Sequence, residues 1–392
     1  MLLLAIMPVA CVEPFDFESE SFESVLVVDV SLTNELKQQE VLLSRTFPLD
    51  TDGPNTESNG SVRIETQTGV TFTFSEVEPG KYLSDEAFAA ELNTKYRLLI
   101  NSGGTSYSTD FQKTPGSSNI EAVHVTRKED SQGIDGIAIT VDGFDPTGQS
   151  KYYKYNYIET YKIIAPDWRP FDLIVTGDVY PDCSVAIVDR SIDKKVCYST
   201  VSSPDINLLN LTNLNESRVT DHQVRFIESN DFILSHRYSI LVEQIVQNRE
   251  AYFYFETLGN FAGEDNLFSQ VQAGFIPTNI LSDTNPDEKV LGFFEVTSVD
   301  RERIFFNYTD FFDGEPLPPF VTNCNPYNPP LFTMGMPPNC GELIQRLKQN
   351  EIVYWDKTNN ASQPQEGNTV VLTPCGDCTV LGSSEVPEFW IE

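Results

Sequence analysis

Val25-Leu-Val-Val-Asp-Val-Ser-Leu-Thr33 opens a series of short runs rich in Val, Ile, Thr, Tyr and Phe, residue types that fit a pleated, half-buried surface. Val41-Leu-Leu-Ser-Arg-Thr-Phe47, Ser61-Val-Arg-Ile-Glu-Thr66, Val70-Thr-Phe-Thr-Phe74, Lys95-Tyr-Arg-Leu-Leu-Ile100 and Thr105-Ser-Tyr-Ser-Thr109 continue it. Turn residues interrupt it at Asp52-Gly-Pro-Asn55, Glu78-Pro-Gly80 and Gly103-Gly104. The runs therefore recur at roughly ten-residue spacing, the pattern of an antiparallel sandwich. We expect an immunoglobulin-like β-sandwich over residues 25–114, closed by the linker Thr114-Pro-Gly-Ser-Ser118.

Downstream, residues 119–392 read as a larger β-rich domain with one or two short helices and long loops, so the chain is mainly β. Its first strands are expected at Ile120 to Val125, Gly136 to Val141 and Tyr152-Tyr-Lys-Tyr-Asn-Tyr-Ile-Glu-Thr-Tyr161. In the last of these, Tyr153, Tyr155, Tyr157 and Tyr161 share one face, because side chains alternate along a strand. Such a row either stacks on sugar rings or forms the half-buried face of a sheet. A strand at Tyr238 to Val246 leads into residues 248–259, where Ala251, Tyr254, Phe255 and Leu258 repeat at i, i+3, i+4 and i+7. That is an amphipathic helix, with Gly259 expected to stop it. Val290-Leu-Gly-Phe-Phe-Glu-Val296 and Arg303-Ile-Phe-Phe-Asn307 follow as strands, and a second short helix is expected from Gly341 to Lys348. Between them, residues 310–340 are rich in Pro and Asn and carry Phe320, Tyr327 and Phe332. Loops this long inside a domain tend to be functional, so this stretch is either a partner-binding surface or a braced cap over the sheet.

Upstream, Met1 to Ala10 is an apolar run ending in a small residue before Cys11. It is shorter than the ~20 apolar residues a membrane-spanning helix needs, and it matches the apolar core and cleavage site of a secretory signal. The basic leader is missing, so the start codon is expected upstream. Cleavage after Ala10 would leave the Cys11 thiol for lipid attachment. Residues 11–24 are acidic and without period, as in a solvated tether.

Lys and Arg number 26 against 58 Asp and Glu, a formal net charge of −32. Nucleic acid is excluded as a partner, since phosphate binding is driven by cations, and attachment to an anionic membrane falls to the lipid anchor. Six further cysteines, Cys183, Cys197, Cys324, Cys340, Cys375 and Cys378, are an even number in an exported chain and read as disulfides. Spacing suggests Cys183 with Cys197, Cys324 with Cys340, and Cys375 with Cys378. A redox or zinc role for Cys375-Gly-Asp-Cys378 lacks a thioredoxin-like setting and further soft ligands. No nucleophile elbow, phosphate loop or paired-histidine motif accompanies His124, His222 and His236. Asp283-Thr-Asn-Pro-Asp-Glu288 starts like a calcium loop but has no glycine at its sixth position. No catalytic residue, metal or cofactor is expected.

Cys11-Val-Glu-Pro-Phe-Asp, Leu26-Val-Val-Asp, Val41-Leu-Leu-Ser-Arg-Thr46, Gly80-Lys-Tyr-Leu-Ser84, Val290-Leu-Gly-Phe-Phe294, Cys375-Gly-Asp-Cys-Thr379 and Pro387-Glu-Phe-Trp390 together resemble the Bacteroidota lipoproteins of domain of unknown function 4249. The acidic residues after Cys11 likewise resemble the surface-export signal of such lipoproteins. The resemblance implies an outer-membrane, cell-surface location and a TonB-dependent receptor as partner, in a non-enzymatic accessory or ligand-capture role. An independent glycan- or protein-binding adhesin is the alternative.

Overall fold

Period-two burial builds the first sheet. β1 (Leu26–Thr33) buries Leu26, Val28, Val30 and Leu32, and β2 (Glu40–Arg45) buries Val41 and Leu43. After the two-residue β3 (Asn55–Thr56), β4 (Ser61–Thr66) turns in Val62 and Ile64. β5 (Thr71–Glu78), β6 (Lys81–Ser84), β7 (Tyr96–Ser102) and β8 (Thr105–Thr109) add Phe74, Tyr82, Tyr96, Leu98, Ile100 and Tyr107 to the same cluster. Neighbours in the order β1-β2-β6-β5-β4-β7-β8 are antiparallel. All send their inward residues to one core, so the sheet curls around it. The computed structural model describes residues 24–48, 53, 55–262, 276–358 and 367–392. The expected signal at 1–10, Cys11 and the expected tether as far as residue 23 lie outside the described residues.

β6 does not stand out in the sequence because it is only four residues long. Gly80 sets it up: its φ is +75°, and a Cβ there would stand 2.5 Å from the Leu43 carbonyl. Only glycine takes that conformation at that approach without strain.

The second unit holds two facing sheets. β9 (Asn119–Glu129) and β10 (Asp135–Asp145) form one with β16 (Ser217–Glu228). The other centres on β11 (Tyr152–Ile164), flanked by β14 (Val196–Ser202) and β15 (Asn207–Asn210) on one edge and β17 (Arg237–Gln247) on the other. Ile137, Ile139 and Val141 of β10 meet Tyr153, Tyr155, Ile240 and Val242 in a shared core.

Residues 25–114 do not close the first unit alone, which departs from the expected boundary. β18 (Ile280–Ser282) pairs with β8, and β19 (Val290–Gly292) runs parallel to β1. Ile280, Val290, Phe294 and Val296 complete the first core. The run Val290 to Val296 is two elements rather than one strand. Gly292 has φ +121°, and a Cβ on it would fall 2.0 Å from the Val28 carbonyl. The strand breaks there and the chain resumes as β20 (Glu295–Asn307), whose residues 295–297 pair parallel with residues 31–33 of β1 and whose residues 298–307 pair antiparallel with β17. β1 is thereby hydrogen-bonded into both units.

α1 (Arg249–Ala262) follows β17, with the Asn248 side chain accepting from the Ala251 N–H at 2.7 Å. Ala251 and Tyr254 pack on Phe293, flanked by Phe255 and Leu258, on the face read from the sequence. The helix runs past Gly259, which keeps a negative φ. A glycine ends a helix only where the left-handed conformation is used.

The rest of the chain is braced by cysteines. The hairpin β12 (Phe171–Val179) and β13 (Asp182–Asp189) packs against α2 (Glu342–Lys348) and the small ladder β21 (Phe332–Thr333) and β22 (Asn339–Cys340). β23 (Ile352–Thr358) and β24 (Gly367–Leu372) pair and lead into the turn α3 (Thr373–Gly376). All six cysteines are in disulfides, but the sequence-adjacent pairing is wrong. The bonds are Cys183–Cys340, Cys197–Cys378 and Cys324–Cys375, with Cα separations of 5.5, 5.7 and 5.5 Å. The reason is topological. Cys183 sits in β13, against β22, while Cys197 lies in β14, alongside which residues 378–383 run through Cys378 N–Lys194 O (3.0 Å) and Ser383 N–Tyr198 O (2.9 Å). Cys375 and Cys378 occupy successive turns that face different neighbours.

Candidate functional site

Tyr153, Tyr155, Tyr157 and Tyr161 do share a face, and that face is the core. The Tyr155 hydroxyl donates to Gln244 Oε1 at 2.8 Å, and burial pushes its phenol far above the usual range. None of the four is open to a sugar from solvent. In the Pro-rich stretch, Tyr327 exchanges backbone hydrogen bonds with Val370 (2.9 and 3.0 Å) and Phe332 packs near Cys183 and Cys340. Both are braces. The Asp283 and Glu288 carboxylates accept from the Ser108 and Tyr107 hydroxyls, each at 2.5 Å, and burial with the Glu288 contact pushes the Tyr107 phenol up to about 12. Among the described residues no group of three His, Cys, Asp or Glu is placed to hold a metal.

Phe320 is different, because it walls a cleft at the end of the β11–β17–β20 sheet. The inner part, about 280 Å³, is lined by Ile163, Ile164, Pro166, Phe232, Leu317, Pro318 and Phe320, with Lys162, Ser235 and His236 at its edge. A contiguous outer part, about 330 Å³, adds Arg237, Asn307, Tyr308, Thr309 and Glu392. These volumes lie at the lower end of the range for small-molecule sites.

Each wall has a local cause. Lys162–Ile164 are the last residues of β11. Phe232 opens the 3-10 turn Phe232–Leu234, capped by Asp231, whose Oδ1 accepts from the Ile233 N–H at 3.2 Å. Ser235 and His236 bridge that turn to β17, which starts at Arg237. The roof, residues 316–320, is pinned by the Tyr308 hydroxyl donating to the Pro316 carbonyl at 2.7 Å and by Phe320 meeting the Phe232 ring edge-on at 6.2 Å. Arg127 ties Glu315 at the roof's base.

Polarity changes along the cleft. Lys162 Nζ donates to both Glu392 carboxylate oxygens at 2.9 Å, and this contact holds that carboxyl below the usual range. Arg237 donates to the Ile391 carbonyl and, at 3.1 Å, to Asn307 Oδ1. Burial, and then the Lys162 charge, push the His236 imidazole below its ordinary value, so at neutral pH it is an uncharged donor and acceptor. The arrangement can hold a molecule by shape and charge.

The sequence pointed to Phe320 through its Pro-rich setting, and to none of Lys162, Phe232, His236 or Arg237. These fall at the ends of separate elements, where no periodicity marks them.

The fold and cleft define a mainly β, disulfide-braced protein of several sheets. The sequence matches the family described as domain of unknown function (DUF4249) over residues 12–303, and the chain belongs to that family. No curated protein matches it. Among solved structures, the collagen-binding domain of the surface protein RspB of Erysipelothrix rhusiopathiae aligns at 9% identity over 71% of this chain and 97% of that one, with a TM-score of 0.09. That score carries no argument. No helix among the described residues is long and apolar enough to cross a membrane, and three disulfides are compatible with an extracytoplasmic location.

Proposed function

We propose that this is a surface-exposed outer-membrane lipoprotein, anchored through Cys11, that acts without catalysis as an accessory or ligand-capture partner of a TonB-dependent transporter. The cleft beneath residues 316–320 is the observation that carries the capture role. It is walled by five separate segments and braced by pinned loops, which suits a preformed binding site. The acidic chain is held at the membrane by lipid rather than by charge. Extraction of outer membranes in mild detergent, followed by affinity capture of the tagged chain, should recover a β-barrel receptor, and Cys11→Ser should abolish labelling by radioactive palmitate. Recovery of a free, unlabelled monomer overturns the reading.

The alternative, an independent adhesin, draws support from one surface. Val179 and Tyr180 at the β12–β13 turn and Met334 and Met336 between β21 and β22 are exposed on two turns tied by Cys183–Cys340. Exposed apolar tips of this kind mark interaction sites. Binding of the soluble chain to a glycan or host-protein array, lost in Met336→Ser, would favour it.

A further inference from the structure

The cleft described above has a chemical direction. Its inner end is apolar, with Phe232, Leu317, Pro318 and Phe320 the main surfaces. Its outer end holds two cations, Lys162 and Arg237, in a chain where acids outnumber bases by more than two to one. Arg237 is the unusual one. Both its hydrogen-bond acceptors, the Ile391 carbonyl and Asn307 Oδ1, are neutral, and among the described residues it makes no ion pair. Its guanidinium lies 5.1 Å from the Phe305 ring centre, which fixes it at the mouth without neutralising it. Among the described residues Lys162 has only the exposed Glu392 side chain as counter-ion, a contact worth little in water and therefore easily exchanged. Between the two ends, the His236 ring has no hydrogen-bond partner among the described residues and is kept uncharged by burial and by Lys162.

We propose that the cleft binds an amphiphile with a single anionic head. Its apolar body lies against Phe232, Leu317, Pro318 and Phe320, and its head sits between Arg237 and Lys162, taking the place of the Glu392 carboxylate. A neutral amphiphile fills the inner end but leaves Arg237 without a counter-charge; a cationic one meets two like charges. A fatty carboxylate and a lipid phosphate share this chemistry. This names the ligand class of the capture site and rests on that reading.

Calorimetric titration of the full chain carrying Cys11→Ser with decanoate, decyl phosphate, decanol and decyltrimethylammonium tests it. One of the two anions is expected to bind at one per chain, at least about tenfold more tightly than decanol, the difference a charge-assisted contact supplies. The tighter anion separates the carboxylate source from the phosphate source. Arg237→Gln should remove most of that tenfold advantage and leave decanol unchanged. Leu317→Asn should weaken anion and alcohol alike; Leu317 is 53% exposed, so the fold survives its substitution, and unchanged thermal melting of both variants confirms it. Equal binding of decanoate, decyl phosphate and decanol, or an Arg237→Gln chain that still prefers the anion, overturns the proposal. Loss of receptor co-purification with anion binding intact removes the transporter partner and leaves the site. Intact co-purification without anion binding removes only the ligand class.

Discussion

His236 and His222 are two half-buried imidazoles whose proton affinity is lowered on folding. For His222 the cause is burial, under β15 and beside the Tyr155 ring at 4.7 Å, with Asn207 Oδ1 at 2.8 Å from Nε2. For His236 it is burial and then the Lys162 charge. Above the unfolded-state value of about 6.5 both states are uncharged at these rings and nothing is gained or lost. As pH falls below it, the unfolded chain takes up protons that the folded chain refuses, so stability declines. Carboxylates with lowered affinity, such as Asp145 and Asp377, act in the same direction but only below about pH 4. At Asp145 burial alone would raise the value, and hydrogen bonds from Thr147 and Ser150 outweigh it. Asp29 and Glu243, raised chiefly by burial, oppose this as they titrate. The urea midpoint should therefore fall between pH 7.5 and 5.5, and the double variant His222→Gln/His236→Gln should flatten that slope. An unchanged slope in the double variant would assign it to other groups.

Strands were legible in the runs densest in β-formers, and not in β12, β13, β14 and β16 or in β23 and β24, where charged and polar residues break the alternation. Residues Ser61–Thr66 and Thr105–Thr109 form strands with the expected limits, and the Ala251, Tyr254, Phe255, Leu258 face of α1 packs inward. Where a single glycine redirects the backbone, pattern fails. The apolar run 290–296 looks continuous, yet the approach of Gly292 to Val28 divides it between two strands. Cysteine pairing was illegible for a related reason: sequence distance says nothing about which strands a sheet brings together. Cys197–Cys378 joins residues 181 apart and sits in the largest core. Digestion without reduction should release linked peptides spanning 183 with 340, 197 with 378, and 324 with 375. A peptide bridged within Cys375-Gly-Asp-Cys378 would refute this pairing. Cys197→Ser/Cys378→Ser should cost about 2–5 kcal/mol in denaturant unfolding. The cleft was the least legible feature, because Lys162, Phe232 and Arg237 belong to three element ends that only the tertiary fold gathers.

At the scale of the whole molecule, β1 decides how the two units behave. On one side it pairs with β2, and through it with the first sheet; on the other it pairs with β19 and with β20, the strand that also lines β17. Ile280, Val290, Phe294 and Val296 reach the first core from far downstream in the sequence. Burying each such side chain is worth about 1.5–3 kcal/mol, so the four contribute an amount comparable to the entire net stability of a domain, roughly 5–15 kcal/mol. Residues 24–114 expressed alone should therefore lack a fixed fold and bind a hydrophobic dye. In the intact chain the two units should unfold together. Trp168, Trp355 and Trp390 are the only tryptophans and all lie outside the first unit, so their fluorescence reports on the second unit and the cysteine-braced segments on it, while amide exchange in β4 and β7 reports on the first. With the break at Gly292 holding β19 and β20 on β1, loss of either sheet strips the other of both backbone partners and core. The fluorescence midpoint and the denaturant dependence of β4 and β7 exchange should coincide. If those amides open well before the tryptophans respond, β1 does not couple the units, and the first would be a separable module.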